Sequence, residues 1–420
     1  MKYITVRGGK RLVGTVSVDG MKNSALPVIF ATILAKDKCI IENVPSVSDI
    51  ELSFDILRLL GAKVTYLRTK NVAEIDTSTL DKCYATHDIV NRMRGSTYLI
   101  GALLARFGES HVGWPGGCDF GTRPIDQHIK GFETLGARVS FSEGYINATA
   151  ENGLRGGSVY FDMPSVGATV NVMIAAVLAE GTTVIDNAAR EPHIVDLANF
   201  FNACGADVTG AGTSTIKING VKELHGATYK IVPDMIEAGT YMVAAAAVGG
   251  EVTVKNVIPK HMETVTSKLL EMGVDVRVGD NEMLVRSDGV FKGVSVRTLP
   301  YPGFPTDMQP QFGAIMCLAG GISTITESVW ESRYKYLGEL AKMGAVYDIE
   351  KNKAIISGPA KLKGTDVHAT DLRAGAALLI AAMAAEGESK LTGVEFVERG
   401  YHNIVGKLLG LGADIQLVEE

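Results

Sequence analysis

One short pattern, repeated six times, constrains the fold of this chain more than any other feature. A helix-like segment closes on a glycine and runs into an alternating strand in LLGAKVTYL, TLGARVSF, ACGADVTG, EMGVDVRV, KMGAVYDI and GLGADIQL, with glycines at Gly61, Gly136, Gly205, Gly273, Gly344 and Gly412. These glycines lie 75, 69, 68, 71 and 68 residues apart, a near-constant period that marks structural repeats. A second element recurs in phase: AKDKCIIENV, RFGESHVGWP, AEGTTVIDNA, GGEVTVKNV, GGISTITESV and AEGESKLTGV. Within a repeat the order reads strand, apolar helix, strand, amphipathic helix, glycine and hairpin. The glycine suits the left-handed position just past a helix C-cap.

The first helix of the repeat, seen in Ala25–Ala35, Gly167–Ala179, Glu237–Val248, Met308–Ala319 and Arg373–Ala385, is apolar nearly all round and rich in Ala and Gly. A helix without a polar face is buried on every side. These helices are therefore expected inside, with sheets outside, three to a bundle. Six repeats then make two α/β domains of three, dividing near residue 229. The segment Met1–Gly20 precedes the first inner helix and is expected to close a sheet of the second domain. The expected domains are 22–229, and 1–21 with 230–420, with a hinge and a cleft between them. A single continuous solenoid is the alternative that periodicity alone leaves open.

The 420 residues are 46% hydrophobic, enough for two cores, and 41 basic against 47 acidic side chains give a net charge of −6. That balance excludes a global electrostatic footprint for nucleic acid or an anionic membrane, so any anionic ligand must meet a local basic cluster. Five scattered cysteines, with no CxxC pair and no Cys/His metal spacing, suit a reducing cytoplasm. No stretch reads as a signal peptide, and apolar runs fall short of the roughly 18 residues a bilayer requires. A cytoplasmic protein is expected.

Unusual residues collect at the equivalent strand-to-helix junctions: Lys22-Asn23, Arg94, Ser165-Val166-Gly167, Asp234 and Glu237, Asp307, and Asp371 with Arg373. Lys or Arg at a helix N-terminus opposes the macrodipole by about 0.3–1 kcal/mol. Three such violations, Lys22, Arg94 and Arg373, point to an anion nearby. Each taken singly reads more simply as a long side chain reaching water. The segment 111–124, HVGWPGGCDFGTRP, combines pliant glycines with the thiol of Cys118 and the cation of Arg123, which reads as a lid loop or as an ordinary turn. Glu331, Arg333 and Lys335, and the segment around Arg399, supply further charge, by default at the surface. Asp307 in PTDMQPQF is most simply a helix N-cap.

The motifs GMKNSALP (20–27), RMRGS (92–96), PGGCDFGTRPIDQH (115–128), PSVGAT (164–169), NAAREPHIVDLA (187–198), FPTDMQPQF (304–312), ATDLRAG (369–375) and ERGY (398–401) resemble the UDP-N-acetylglucosamine 1-carboxyvinyltransferase family of enolpyruvyl transferases. The resemblance runs end to end. It implies an inside-out α/β barrel of two domains, each with three βαβαββ units. The activity implied is transfer of the enolpyruvyl group of phosphoenolpyruvate to the 3′-hydroxyl of UDP-N-acetylglucosamine, with release of phosphate, the first committed step of peptidoglycan precursor synthesis. No metal and no organic cofactor is implied, and oligomeric state is left open.

The resemblance also implies site residues. Lys22, Arg123 and Arg399 hold phosphoenolpyruvate, with Arg94, Arg333 and Arg373 close by, since a phosphate and a carboxylate need several cations. Cys118 acts as general acid to the methylene carbon and is the residue that fosfomycin alkylates; Asp307 acts as general base. Asn23 binds the sugar. The uridine diphosphate lies along Arg123, Pro124, Ile125, Asp126, His128 and Ser165-Val166-Gly167, and Val329 belongs to the same substrate-binding set. The sequence departs from the family at Met163, where some members carry Lys, at Ser46 and Ser48 in place of basic residues, and at Asp119 and Phe120 after the loop cysteine. Glu398 replaces Asp, and His193 replaces Glu. The nearest rival is the sibling enzyme that makes 5-enolpyruvylshikimate-3-phosphate, which lacks the PGGC segment. A catalytically silent anion-binding repeat protein is the rival of another class.

Overall fold

The computed structural model describes residues 2–116 and 124–419. Cys118 and Arg123, and with them most of the expected lid, lie outside the described residues. The part of segment 111–124 that is described differs from the expectation: residues 111–113 end the strand Glu109–Gly113, because Glu109–Gly113 pairs along its whole length with Tyr145–Thr149.

The six repeat glycines have φ between +89° and +104°. A side chain is strained in that region, so glycine ends each amphipathic helix and turns the chain into its hairpin. Each repeat builds one four-stranded sheet of constant order. In the second repeat, Tyr84–Ala85 pairs in parallel with Glu109–Gly113, which pairs antiparallel with Tyr145–Thr149, which pairs antiparallel with Arg138–Ser142.

Three of the sheets borrow a strand from a distant stretch of chain. Lys2–Arg7 lies between Glu388–Thr392 and Asp414–Glu419, antiparallel to both, with Ile4 opposite Leu391 and Leu417. Leu12–Ser17 runs parallel to Gly250–Lys255, and Thr228–Lys230 parallel to Cys39–Glu42. Two compact units result, one of Met1–Asp19 with Pro233–Glu420, the other of described residues from Gly20 to Val232. The units divide at 19/20 and 232/233 rather than 21/22 and 229/230; a break at 229/230 would fall inside the strand Thr228–Lys230, whose Lys230 pairs with Glu42.

Each unit has its own apolar core. In the unit containing residue 420, the helices Met235–Val248, Gln309–Leu318 and Leu372–Ala384 pack on one another, and the last is buried from Leu372 to Met383. Ala and Gly on these helices permit close approach while large side chains such as Tyr241, Phe312 and Leu378 fill the gaps. In the other unit the helix Tyr98–Phe107 packs on both Lys22–Ala31 and Val166–Ala176. This second-repeat helix did not stand out in the sequence beside the other five, since its apolar run is short and is closed by Arg106. No helix among the described residues is long and apolar enough to cross a membrane.

Candidate active site

In the unit running from Gly20 to Val232, Lys22 is the first residue of the helix Lys22–Ala31 and is buried. Its Nζ lies 2.9 Å from Oδ2 of Asp49, itself buried in the first turn of Ser48–Leu59. The carboxylate offsets the clash between a cation and the positive end of the helix. Asn23 follows, half-buried. Next to them Ser24 donates its hydroxyl to Asp196, a buried carboxylate that also accepts from the Tyr229 hydroxyl and, at 3.3 Å, from the Val232 N–H. Burial raises the Asp196 carboxyl above the ordinary range in spite of these donors.

Arg94 opens the 3-10 turn Arg94–Thr97, which leads into the helix Tyr98–Phe107; it is half-buried. Its charge bears on His128. That imidazole is buried and its pKa is lowered to about 3, by burial first and by the Arg94 charge second. The amide Nδ2 of Asn171 donates to the Thr97 carbonyl at 3.0 Å and faces His128 Nδ1 at 2.9 Å, while Asn171 Oδ1 accepts from the Gly101 N–H. Nδ1 is thus the acceptor, and the neutral ring carries its proton on Nε2. Nε2 is so close to Gly167 that a Cβ there would stand 2.9 Å from it. Ser165 caps the helix Val166–Ala176, accepting from Ala168 N, with Val166 and Gly167 in its first turn. A helix N-terminus and an N–H donor therefore meet at Gly167, an arrangement suited to an anion. Pro124 is exposed, Ile125 is buried, and Asp126 begins the helix Asp126–Thr134. Met163 is 63% exposed.

In the unit containing residue 420, Asp307 does not cap a helix. It lies inside the 3-10 turn Thr306–Met308, and no side chain caps Gln309–Leu318. Its carboxylate is drawn instead to two guanidinium groups. Oδ1 accepts from Arg333 Nη2 at 3.0 Å, and Oδ2 from Arg373 Nε and Nη2 at 3.2 and 3.1 Å. Arg333 is 4% exposed and Arg373 3%, so the expectation of surface charge for Arg333 is wrong. It is wrong because pairing with Asp307 compensates the cation inside the protein. Burial opposes the charge of Arg373, but Tyr401 and Asp307 outweigh it and raise its pKa. The Arg373 guanidinium lies 5.3 Å from the centre of the Tyr401 ring, within cation–π range. Asp371 caps the same helix through the N–H groups of Arg373 and Ala374. Arg399, half-buried, ends the helix Val394–Glu398.

Two positioning groups went unnoticed in the sequence. Asp49 gave no signal, since an acidic residue in a helix first turn is ordinary. Glu327 did give one. It follows the strand Gly321–Thr326 at the place where Asn43, Asn187 and Asn256 follow theirs, and those amides each donate to a backbone carbonyl just past the sheet's edge strand. Glu327 reverses that polarity. Buried, it accepts from the hydroxyls of Thr298 at 2.7 Å and Thr306 at 2.9 Å, and from the N–H groups of Val329 and Trp330. One carboxylate thus ties the turn holding Asp307 to the loop that carries Val329 and leads to Arg333.

The arrangement has relatives. The family model for EPSP synthase (3-phosphoshikimate 1-carboxyvinyltransferase) matches residues 6–408. UDP-N-acetylglucosamine 1-carboxyvinyltransferase 3 of Caldanaerobacter subterraneus subsp. tengcongensis is 52% identical, and the match covers all of both chains. UDP-N-acetylglucosamine 1-carboxyvinyltransferase of Clostridium botulinum is 51% identical over 99% of each. Among solved structures, the enolpyruvyl transferase NikO from Streptomyces tendae superposes with a TM-score of 0.89 at 26% identity over 99% of each chain. EPSP synthase from Acinetobacter baumannii, at 19% identity and a TM-score of 0.77 over both full chains, shares the fold. With full-length identity of this order to the former group, the chain belongs to the enolpyruvyl transferases, in the family of UDP-N-acetylglucosamine 1-carboxyvinyltransferases.

Proposed function

We propose that the chain transfers the enolpyruvyl group of phosphoenolpyruvate to the 3′-hydroxyl of UDP-N-acetylglucosamine and releases phosphate. The hydroxyl oxygen bonds to the enol carbon while a proton adds to the methylene carbon, giving a tetrahedral intermediate. Loss of a methyl proton and of phosphate then restores the double bond. Every step is addition, elimination or proton transfer, so the chain must supply cations for the donor, an acid and a base.

The observation that carries this reading is the Asp307–Arg333–Arg373 constellation in a member of this family. Arg333 and Arg373 are fixed guanidinium forks suited to phosphate and carboxylate. Arg373 Nη1 is buried and makes no hydrogen bond among the described residues. Asp307 takes the hydroxyl proton, Cys118 delivers one to the methylene carbon, and Lys22, Arg123, Arg399 and Arg94 serve to hold the donor. Asn23 binds the sugar. Pro124, Ile125, Asp126, His128, Ser165, Val166, Gly167 and Val329 line the nucleotide-sugar site, with the His128 Nε2–H and the helix N-terminus at Gly167 serving the diphosphate. The reaction belongs to peptidoglycan precursor synthesis in the cytoplasm, and fosfomycin blocks it by alkylating Cys118.

The test is phosphate release from phosphoenolpyruvate with each of two acceptors. Release that depends on UDP-N-acetylglucosamine is expected, and release that depends on shikimate-3-phosphate instead would overturn the assignment. Cys118→Ala is expected to abolish turnover, and Cys118→Asp to retain part of it.

A further inference from the structure

The sequence shows no metal-binding spacing, yet the second sheet of the unit running from Gly20 to Val232 brings three different ligand types together. Cys83 precedes the short strand Tyr84–Ala85, and Glu109 and His111 alternate onto one face of the neighbouring strand Glu109–Gly113. The backbone bond from His111 N to the Cys83 carbonyl, 2.9 Å, places them side by side. One sulfur, one imidazole nitrogen and one carboxylate oxygen all lie within 4.8 Å of one another. Cys83 Sγ is 3.3 Å from Glu109 Oε1, and His111 Nε2 is 3.8 Å from Glu109 Oε2.

A further contact aims the imidazole. Asn147 stands directly opposite His111 in the antiparallel pair, and its Oδ1 lies 2.8 Å from His111 Nδ1. Asn147 Nδ2 donates to Ser142 Oγ at 2.9 Å, and the amide oxygen is turned toward the ring. His111 Nδ1 is consequently the donor, and Nε2 presents its lone pair to Cys83 and Glu109. An outer partner holding the far nitrogen of an imidazole is how protein metal ligands are oriented.

We propose that Cys83, Glu109 and His111 bind a zinc-class divalent cation on the outer face of this sheet, apart from the residues assigned to enolpyruvyl transfer. Zinc bonds of about 2.0–2.3 Å at tetrahedral angles put ligand atoms roughly 3.3–3.8 Å apart; Cys83 and His111 each stand at such a distance from one of the two Glu109 oxygens. Thiolate with carboxylate neutralises a dication, and the mixed sulfur, nitrogen and oxygen set favours zinc or cobalt over magnesium or calcium. Three protein ligands leave the fourth position for water. Binding releases the Cys83 thiol proton to solvent, and no electron is transferred.

Co²⁺ alone, added to the metal-stripped full-length protein, tests this. One equivalent is expected to bind with a thiolate-to-cobalt absorption band, and Zn²⁺ to displace it. The band is expected to vanish in Cys83→Ser, to weaken at least tenfold in affinity in His111→Gln and Glu109→Gln, and to persist in Cys118→Ser. Asn147→Ala, which leaves all three ligands, is expected to weaken binding several-fold. Absence of the band from the native protein, or its loss in Cys118→Ser and survival in Cys83→Ser, would overturn the proposal without touching the assigned reaction.

Discussion

Nζ of Lys22 and Oδ2 of Asp49 meet at 2.9 Å with both side chains at most 10% exposed. A cation at the positive end of a helix and a carboxylate out of water are each unfavourable, and each offsets the other. Removing one partner of such a pair strands a buried charge at a cost of about 3 kcal/mol or more. Asp49→Ala is expected to lower the urea midpoint accordingly and to raise the KM for phosphoenolpyruvate, because Lys22 is no longer held in place. An unchanged midpoint would show that water replaces Asp49 at no cost.

Asp307 joins two buried guanidinium groups. Asp307→Ala removes the proposed base, so kcat is expected to fall by about 10²–10⁴. The vacated place between Arg333 and Arg373 becomes an anion trap. Sulfate is expected to raise the melting temperature of the variant more than that of the native protein, and equal shifts would mean that the arginines have collapsed elsewhere.

Glu327 holds Thr298, Thr306, Val329 and Trp330 without touching the proposed reacting groups. Glu327→Gln keeps the shape but turns one acceptor into a donor facing the Thr306 hydroxyl. A loss of about 1–3 kcal/mol in stability is expected, with kcat down about tenfold. If Glu327 works through Asp307, the substitution has no further effect on kcat in the Asp307→Ala background. An undiminished second loss there would detach it from Asp307.

His128 is neutral in the fold, with a pKa of about 3, whereas an unfolded histidine titrates near 6.5. Between those values the unfolded chain binds the extra proton. His128 therefore contributes fully above about pH 6.5, and stability declines as the pH falls below it, by up to about 1.4 kcal/mol per unit. Urea unfolding at pH 7 and pH 5.5 is expected to show a smaller difference for His128→Gln than for the native protein. Equal differences would place the titration on another group.

Much of this was legible before any coordinates. The six glycines announced six repeats because a left-handed residue after a helix is a local requirement that few side chains meet. The apolar helices announced an interior because nothing on their surfaces can face water. The motifs named the family. Hidden were the partners: Asp49 is 27 residues from Lys22, and Arg373 is 66 from Asp307, so no spacing links them. Arg333 looked like surface charge because pairing, which is what permits its burial, is not a property of its own segment. Glu327 was half-visible, since the repeats align it with three asparagines, but its reversed polarity has meaning only beside the Thr298 and Thr306 hydroxyls.

The amino-acid order alone determined the repeat, the buried helices, the family and the residue types the chemistry requires, because each follows from local conformational preference, periodicity or motif. The tertiary structure decided which charges are buried, which carboxylate holds which cation, which nitrogen of His128 carries the proton, and that Cys83 stands beside Glu109 and His111. Those outcomes depend on distances across strands and helices far apart in the chain, where the balance of desolvation against pairing is struck only after folding brings the groups together.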